Sequence, residues 1–589
     1  MSTSRLPERP AGNGGTTPDG TALSPEPDTE TVDLYGAYPR LSETQLAALE
    51  SQGTRRAVQP GDVLVRAGDP YCNFMVVLSG KVAVIEGADI EGADSGERTI
   101  AVHGPGRFLG EIGMLTGQAL LMSAVVREAG EVLDVPIDGL RDAVSADPAL
   151  GDLILRACLI RRSLHVMLGV GLRIVGSRHS PDARRLREFA ARNRLPHRWL
   201  DLEEDRDADR LVEELGITPA ELPVVIWRGT QVLRNPSNEE LAQLIGLRQQ
   251  PTSSHPVCDL LVIGAGPAGL AAAVSGASEG LTTIVLDAVA TGGQAGTSSR
   301  IENYLGFPAG ISGAELTDRA VIQAKKFGAV LTVPARASRL ELDGGHHLLG
   351  LESGEPLRAR SVLIATGVQY RRLGVPGMDR LEPVAVYYAA TEMEANQCQR
   401  DPVVVVGGGN SAGQATVFLS QYASRVILVV RNDHPDTDMS RYLADRIAGL
   451  TRVDVRLHSE VTELKGDQTL EAVVVQDRHS KEREIVPARS LFVFIGSEPR
   501  TQWLPEDVAR DDHGFVLTGE AAEAAHPRGA DTPGAARPVL LLETTRRGVF
   551  ACGDVRSGSV KRVAAAVGDG SLSVRLIHEH LATIGRSST

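Results

Sequence analysis

Two glycine-rich turns in the C-terminal half have the spacing of loops that hold a dinucleotide. The first spans residues 264–269, follows an apolar run, opens an alanine-rich segment and has the form G-x-G-x-x-G. Gly264 permits a tight turn, Gly266 lets the backbone approach a pyrophosphate, and Gly269 permits close packing of a helix on a strand. The free N–H groups of that helix then face the phosphates. The residues predicted to bind here are Gly264, Gly266, Pro267, Ala268 and Gly269.

The second turn spans residues 407–412 and follows a run of four valines. Its form, G-x-G-x-x-A, predicts a second nucleotide that is held in the same way. The residues predicted to bind it are Gly407, Gly409, Asn410, Ser411 and Ala412.

The residue that ends the second strand after each turn indicates the kind of ribose that is bound. After the first turn it is Asp287, whose carboxylate would accept hydrogen bonds from ribose hydroxyl groups. After the second turn it is Arg431, and an arginine there favours the 2′-phosphate of NADPH. The next basic residue, Arg441, is more distant. We therefore expect NADPH, with NADH as the alternative.

The order of motifs over residues 257–585 resembles thioredoxin reductase. The matching segments besides the two turns are residues 292–294, 301–304, 310–316, 365–367 and 552–554. The resemblance implies FAD in the first site, hydride transfer from NADPH to the flavin, and a homodimer. The flavin contacts that it implies are Gly293, Gln294, Asn303, Thr366, Gly367, Gly553, Asp554, Arg562, Val563 and Ala564.

The reactive cysteine pair of that family is missing. The family has Cys-x-x-Cys shortly before the second turn, whereas residues 387–392 read Tyr-Tyr-Ala-Ala-Thr-Glu. Allowing for a one-residue gap, Ala389 and Glu392 occupy the two cysteine positions. Thiol exchange needs a thiolate, so this segment cannot perform it. Glu392 is the candidate catalytic residue, as a proton donor or acceptor at the flavin, and a plain salt bridge is the alternative role.

Residues 36–168 resemble a cyclic nucleotide-binding domain with a C-terminal helix. Residues 60–69 and 78–82 carry the strand-and-turn pattern, and residues 107–112 match the phosphate-binding run. The effector contacts that the resemblance implies are Gly110, Glu111 and Ser123. Met122 stands where the family has the arginine that binds the cyclic phosphate, and a phosphate without that guanidinium loses its main charge partner. Three alternatives stay open: a cyclic nucleotide, another small-molecule effector, or a regulatory or dimerisation domain without a ligand.

Residues 170–248 read as β-α-β-α-β-β-α and resemble a thioredoxin or glutaredoxin fold. Pro223, after Leu222, matches a proline that is often cis in that family. The turn at residues 177–181 contains no cysteine, so the redox chemistry of the family is not expected here. We expect a docking or coupling module.

The bulk composition limits the classes of function. The chain has 589 residues, a formal net charge of −14 and no strongly basic tract, which argues against general nucleic-acid binding. No apolar stretch approaches about 20 residues, so no membrane span is expected. The cysteines Cys72, Cys158, Cys258, Cys398 and Cys552 never pair at Cys-x-x-Cys spacing, and no metal site is expected. We expect a cytoplasmic protein.

The expected fold is multidomain, with β and α/β parts. The predicted divisions are a disordered tail (1–35), the cyclic-nucleotide-binding-like β-roll (36–168), the thioredoxin-like domain (170–248), a linker (249–256), the FAD domain in two parts (257–374 and 501–589) and the Rossmann-like NAD(P)H domain (375–500). The predicted function is an FAD-dependent NAD(P)H oxidoreductase whose electrons leave the flavin directly for an unidentified acceptor. The alternative is a non-catalytic redox or nucleotide sensor that binds partners through its N-terminal domains.

Overall fold

The computed structural model divides the chain into two compact units, described separately below. They are Met1–Gly110 with Leu121–Ile160, and Glu111–Leu120 with Arg161–Thr589. The structure describes residues 29–33, 35–69, 73–86, 98–110, 120–227, 231–247, 257–298, 300–390, 394–395, 398, 400–433, 439–467, 469–525 and 537–586. Glu111 and Glu392, two predicted site residues, lie outside these ranges.

The first unit is built on one six-stranded antiparallel sheet. Its strands are β1 (Thr54–Val58), β2 (Val63–Val65), β3 (Phe74–Glu86), β4 (Arg98–His103), β5 (Phe108–Leu109) and β6 (Ser123–Val135). The main order is β1-β6-β3-β4, while β2 pairs with β6 and β5 with β3. The helices are α1 (Glu43–Glu50), α2 (Ile137–Ala146) and the long α3 (Pro148–Leu168), whose residues from Arg161 onward belong to the second unit.

The predicted disordered tail of residues 1–35 is too long. Thr31 exchanges two hydrogen bonds with Val102, since its N–H donates to the Val102 carbonyl at 3.0 Å and its Oγ1 accepts from the Val102 N–H at 2.8 Å. The carboxylate of Glu30 also pairs with Arg40 and Arg107. These hydrogen bonds and ion pairs hold Glu30 and Thr31 against the sheet.

The second unit begins with a four-stranded mixed sheet. Its elements are β7 (Leu172–Gly176), α4 (Pro181–Arg192), β8 (His197–Asp201), α5 (Arg206–Glu214), β9 (Val224–Trp227), β10 (Gln231–Arg234) and α6 (Asn238–Leu244). The order is β10-β9-β7-β8, with β7 and β8 parallel. The predicted order of elements is confirmed, and the Leu222–Pro223 peptide is cis. The last helix ends at Leu244.

The first glycine turn belongs to a largely parallel sheet. Its strands are β11 (Cys258–Ile263), β12 (Thr283–Leu286), β13 (Val330–Thr332), β14 (Ala337–Asp343), β15 (His346–Leu351), β16 (Leu357–Ile364) and β27 (Val549–Ala551). The order is β13-β12-β11-β16-β15-β14, and β27 adds in parallel beside β16. The helices are α7 (Pro267–Ser278), α8 (Gly313–Lys326), α12 (Gly519–Ala525) and α13 (Val563–Arg586).

The second glycine turn belongs to a five-stranded parallel sheet that is inserted between β16 and β27. Its strands are β18 (Val386–Tyr387), β19 (Pro402–Val406), β20 (Arg425–Val429), β21 (Val453–Arg456) and β25 (Ser490–Val493), in the order β18-β25-β19-β20-β21. The helices are α9 (Met378–Ala385), α10 (Asn410–Leu419) and α11 (Arg441–Ala448). A small sheet contains β22 (Ser459–Lys465), β23 (Ala472–Asp477) and β24 (Arg483–Pro487), and β17 (Val368–Tyr370) pairs with β26 (Ser497–Pro499) where the chain passes between the two sheets.

Both parallel sheets owe their order to continuous apolar strands. Val403, Val404 and Val405 of β19 and Leu260 and Leu261 of β11 are fully buried. A strand that is covered on both faces has a continuous apolar sequence rather than an alternating one. The apolar runs in the sequence therefore predict these strands. Among the helices that the structure describes, none is both long and apolar enough to cross a membrane.

Candidate active site

The first glycine turn excludes side chains at two positions and leaves open space at a third. Gly264 has φ +112°, and a Cβ there would lie 2.2 Å from the Ala365 carbonyl oxygen. A Cβ on Gly269 would lie 1.8 Å from the Gly264 oxygen. At Gly266 the nearest atom to a Cβ would be Gly293 Cα, 3.9 Å away. Gly266 caps α7 with Pro267 in its first turn, so the helix presents unpaired N–H groups to this open space.

Asp287 is fixed beside the turn by the backbone. One carboxylate oxygen accepts from the Ala265 N–H at 2.9 Å, and the other accepts from the N–H groups of Val289 and Ala290 at 2.9 and 3.1 Å. A carboxylate has about four acceptor positions, so one remains for a ribose hydroxyl. The predicted role of Asp287 fits its place at the end of β12.

Four of the other predicted flavin contacts are held around the same space. A Cβ on Gly293 would lie 3.1 Å from Gly266 Cα, so the loop that contains Gly293 lies directly against the first glycine turn. Gln294 Nε2 donates to the Val368 carbonyl at 3.1 Å, and Thr366 Oγ1 donates to the Arg500 carbonyl at 3.1 Å. Gly553 has φ +68°, and its Cβ would lie 2.9 Å from Ala268 Cβ.

Asp554 and the start of α13 complete this side. Burial is the main influence on the Asp554 carboxyl and raises its pKa, which Lys561 opposes. Val563 packs against the apolar cluster of Ala295, Ile301 and Ile311, so the start of α13 lies beside the segment that contains Asn303. Arg562 and Ala564 flank Val563 in that turn. Among the described residues, no hydrogen bond joins Asn303, Gly367, Arg562 or Ala564 to the glycine turn.

The second turn has the same construction. Gly407 has φ +146°, and a Cβ there would lie 2.4 Å from the Phe494 carbonyl oxygen. Gly409 caps α10, whose first turn contains Asn410, Ser411 and Ala412. Asn410 Oδ1 accepts from the Ser440 N–H at 2.7 Å. This side chain therefore helps to position the start of α11.

Arg431 shares a carboxylate with a second arginine that the sequence analysis missed. Its Nε lies 3.6 Å from Glu460 Oε2, and the Nε of Arg478 lies 3.8 Å from the same oxygen. Arg478 follows a different strand, so its proximity has no signal in the local sequence. Arg441, the more distant candidate, pairs instead with Asp445 on its own helix.

Comparison with known proteins identifies the C-terminal half. The family model described as pyridine nucleotide-disulphide oxidoreductase matches residues 258–570. The chain belongs to this family. A second model, described as a cyclic nucleotide-binding domain, matches residues 55–147. The expected oxidoreductase class and N-terminal domain are therefore confirmed.

The relatives cover the same half of the chain. The 34.2 kDa protein in the rubredoxin operon of Clostridium pasteurianum is 30% identical over 55% of this chain and 97% of its own length. Thioredoxin reductase of Streptomyces clavuligerus is 31% identical over 56% and 96%. The structure of T. acidophilum thioredoxin reductase is 25% identical, with a TM-score of 0.50 over 56% of this chain and all of that chain. Enzymes of the thioredoxin reductase type use FAD and NADPH, the two cofactors predicted above.

This member of the family has two tyrosines immediately before the first position at which a cysteine was expected, Ala389. The ring of Tyr388 stacks on that of Tyr370, with centroids 6.2 Å apart and planes 9° apart. Burial raises the pKa of Tyr370 to about 12, so it stays protonated. Ala390, next to the first expected cysteine position at Ala389, is buried. Glu392 lies outside the described residues.

The described cysteines are unsuited to thiol exchange. Cys158, Cys258, Cys398 and Cys552 are free and buried. Burial raises the pKa of Cys258 and Cys552 to about 12 and that of Cys398 to about 11. Because the thiolate is the nucleophile, these thiols are inert near neutral pH. Cys72 lies outside the described residues.

Helix α4 and Asn193, the residue after it, contact both nucleotide-binding domains, which no sequence motif indicates. Arg184 donates to the carbonyl oxygens of Glu382 and Val386 beside β18. Its guanidinium carbon lies 5.1 Å from the ring centroid of Tyr387. Immediately after the helix, Asn193 Nδ2 donates to the Val289 carbonyl at 3.0 Å, close to Asp287.

In the first unit, the predicted effector residue Ser123 is already hydrogen-bonded within the protein. Ser123 is buried, and its Oγ accepts from the Ala67 N–H at 3.0 Å. Met122 is also buried, so the position of the expected phosphate-binding arginine carries an apolar side chain. Arg107 pairs with Glu30, with Nε 2.8 Å from Oε1. Gly110 ends the described segment, and Glu111 lies beyond it.

Proposed function

We propose that this chain takes electrons from NADPH at a bound FAD and delivers them to an acceptor without a disulfide of its own. The observation that carries this proposal is the combination of two intact nucleotide turns with alanine and glutamate at the two expected cysteine positions, residues 389 and 392, and with described cysteines that are free and buried. FAD, when bound, supplies the capacity to accept two electrons from a nicotinamide and to release them to a second substrate. The residues of the chain bind and orient the two cofactors.

The open space at Gly266 suits the FAD pyrophosphate. The N–H groups of α7 and the helix dipole attract its charge, and Asp287 offers an acceptor to the ribose hydroxyls. The start of α13 brings a second positive helix end near Asn303, where it would stabilise negative charge on a reduced flavin. These features support FAD in this site.

Arg431 and Arg478 support NADPH over NADH. Together with Glu460 they carry one net positive charge beside the end of β20. A 2′-phosphate would replace Glu460 as the partner of the two guanidinium groups. NADH stays the second candidate, because a carboxylate beside the end of the second strand, here that of Glu460, can accept a hydrogen bond from a free ribose hydroxyl.

The N-terminal domains are proposed to regulate and to dock. The domain of residues 170–248 has the thioredoxin-like order of elements without cysteines in its 177–181 turn. Arg184 of α4 and Asn193 after it hydrogen-bond to both nucleotide-binding domains. The cyclic nucleotide-binding domain is proposed to bind a small-molecule effector, with a cyclic nucleotide disfavoured by the buried Met122. We further propose a cytoplasmic homodimer with the predicted domain boundaries, except for the shorter tail.

An anaerobic titration of the purified yellow protein with NADPH tests the proposal. We expect the flavin absorbance band to bleach, and thioredoxin reduction to be absent. Gly407→Ala should keep its FAD but lose bleaching, because the new Cβ meets the Phe494 carbonyl. Gly374→Ala is the matched control, since a Cβ there meets nothing within 4 Å.

Three outcomes would count against it. Thioredoxin reduction at an ordinary enzymatic rate would refute the missing disulfide step. Bleaching that survives in Gly407→Ala would show that the second turn is not the nicotinamide site. A flavin that stays oxidised with NADPH would favour the function of a sensor. Turnover would then be measured with oxygen, quinones, ferredoxin, flavodoxin and disulfides as electron acceptors, to distinguish slow turnover from no turnover.

A further inference from the structure

Three metal-binding side chains converge at the edge of the second parallel sheet, although the sequence predicts no metal site. Asp433 follows β20, His458 follows β21, and His479 lies in the turn between β23 and β24. One donor atom from each lies within 4.8 Å of the other two. The carboxyl ends of adjacent parallel strands meet at one edge, which explains how the first two residues become neighbours.

The distances match those between ligands of one ion. Asp433 Oδ1 lies 2.9 Å from His458 Nδ1, which lies 3.2 Å from His479 Nε2. Two donors bound tetrahedrally at about 2.1 Å from zinc lie about 3.4 Å apart. Outward shifts of a few tenths of an ångström would therefore admit the ion.

The protons available cannot satisfy the three groups equally well. His458 Nδ1 carries at most one proton, yet it faces both an Asp433 oxygen and a His479 nitrogen. A proton on His458 Nδ1 forms a hydrogen bond either with Asp433 or with His479, or it is shared weakly between the two. A cation would serve all three donors at once.

The backbone holds the cluster in place. His458 has φ +50°, a left-handed conformation that is uncommon for a residue other than glycine. Its carbonyl accepts from the Arg478 N–H at 2.7 Å, and Asp477 Oδ1 accepts from the N–H of His479 at 2.8 Å. Glu460 offsets the positive charge of Arg478 nearby.

We propose that Asp433, His458 and His479 bind a divalent transition-metal ion of the zinc type. Two imidazole nitrogens and one carboxylate favour Zn²⁺, Co²⁺ or Ni²⁺ over Mg²⁺ and Ca²⁺, which prefer all-oxygen sites. The Asp433 side chain is 77% exposed and that of His458 33%, so water completes the coordination. The ion ties together three loops, including the one that contains Arg431 and Asp433.

Equilibrium dialysis of the untagged, full-length holoprotein against Co²⁺ tests the site, with bound metal measured by elemental analysis. No nicotinamide nucleotide is present, so the result is independent of the proposed function. The wild type and His513→Ala, an exposed histidine elsewhere, should each bind one ion per chain. His479→Ala and Asp433→Asn should bind at least about tenfold more weakly, since even the loss of an outer partner costs 10- to 100-fold.

Competition separates this ion from others. Zn²⁺ should displace Co²⁺, while excess Mg²⁺ or Ca²⁺ should not. Absence of binding in the wild type, or equal binding by His479→Ala and His513→Ala, would overturn the proposal. Unchanged binding by Asp433→Asn would also overturn the three-donor site.

Discussion

The guanidinium of Arg184 lies over the ring of Tyr387, with 5.1 Å between the guanidinium carbon and the ring centroid. The same group donates to the carbonyl oxygens of Glu382 and Val386. One side chain of α4 thus supports the strand that leads into the segment where a cysteine pair was expected.

Arg184→Ala should loosen this segment. Loss of hydrogen bonds from a charged donor and of the cation–π contact should cost roughly 1–3 kcal/mol locally. Hydrogen exchange should therefore accelerate at the amides of Tyr387 and Tyr388. Arg210→Ala is the control, because its pair with Glu214 is exposed. Equal exchange in both variants would show that Arg184 does not hold the strand.

Two glycines of α13 should respond oppositely to alanine. A Cβ on Gly570 would lie 2.1 Å from the Ala268 carbonyl oxygen, whereas a Cβ on Gly568 meets nothing within 4 Å. Gly570→Ala should push α13 from α7 and lower both FAD content and the melting temperature. Gly568→Ala should stabilise by about 0.5–1 kcal/mol, because alanine is the better helix former. Thermal unfolding with flavin release checks both, and similar melting temperatures would contradict the close approach.

Removing the charge of Glu460 should strengthen NADPH binding. Glu460→Gln leaves Arg431 and Arg478 without their shared partner, so a 2′-phosphate meets less competition. Exposed pairs are worth up to about 1 kcal/mol, which limits the gain to about fivefold. NADH should not gain. Dissociation constants for both nucleotides check this, with Glu482→Gln as a control of equal charge change on the β23–β24 turn. If only the affinity for NADH increased, Glu460 would instead be hindering the binding of the nucleotide ribose.

A buried histidine should make the FAD domain sensitive to acid. Burial, with smaller effects from Arg546 and His580, lowers the pKa of His347 to about 4. A histidine whose folded pKa is below its unfolded value of about 6.5 contributes stability above that value. The contribution, on the order of 3 kcal/mol, is lost as the pH falls from about 6.5 to about 4.

Denaturant unfolding at pH 7.5 and pH 5 measures this loss. His347→Gln should lose less stability between the two pH values than the wild type does. His513→Gln changes an exposed histidine and should behave as the wild type. If all three proteins lose equal stability, acid acts elsewhere, for example at the buried Glu543 carboxylate. Burial by itself raises the pKa of Glu543, but hydrogen bonds from Arg537 and from the backbone N–H groups of Gly548 and Leu540 together hold it below its usual range.

The sequence alone determined the local elements and the nucleotide turns. Apolar valine runs predict β19, and the G-x-G-x-x-G spacing predicts which glycines cannot carry a Cβ, as Gly264 and Gly269 show. These signals are local, because strand burial, tight turns and helix starts depend on residues adjacent in the chain. The replaced cysteines are likewise read directly from residues 387–392.

Only the tertiary structure decided which distant residues meet. Three relationships join segments that are far apart in the chain. Arg431 and Arg478 face the same carboxylate. The segment of Arg184 and Asn193 contacts both nucleotide-binding domains, and the metal-binding side chains cluster at Asp433, His458 and His479. Parallel strands place their carboxyl ends side by side whatever their separation in sequence, and side chains there carry no periodic signal. Strand order, which packing of the whole core sets, therefore determined the chemistry at this edge of the sheet.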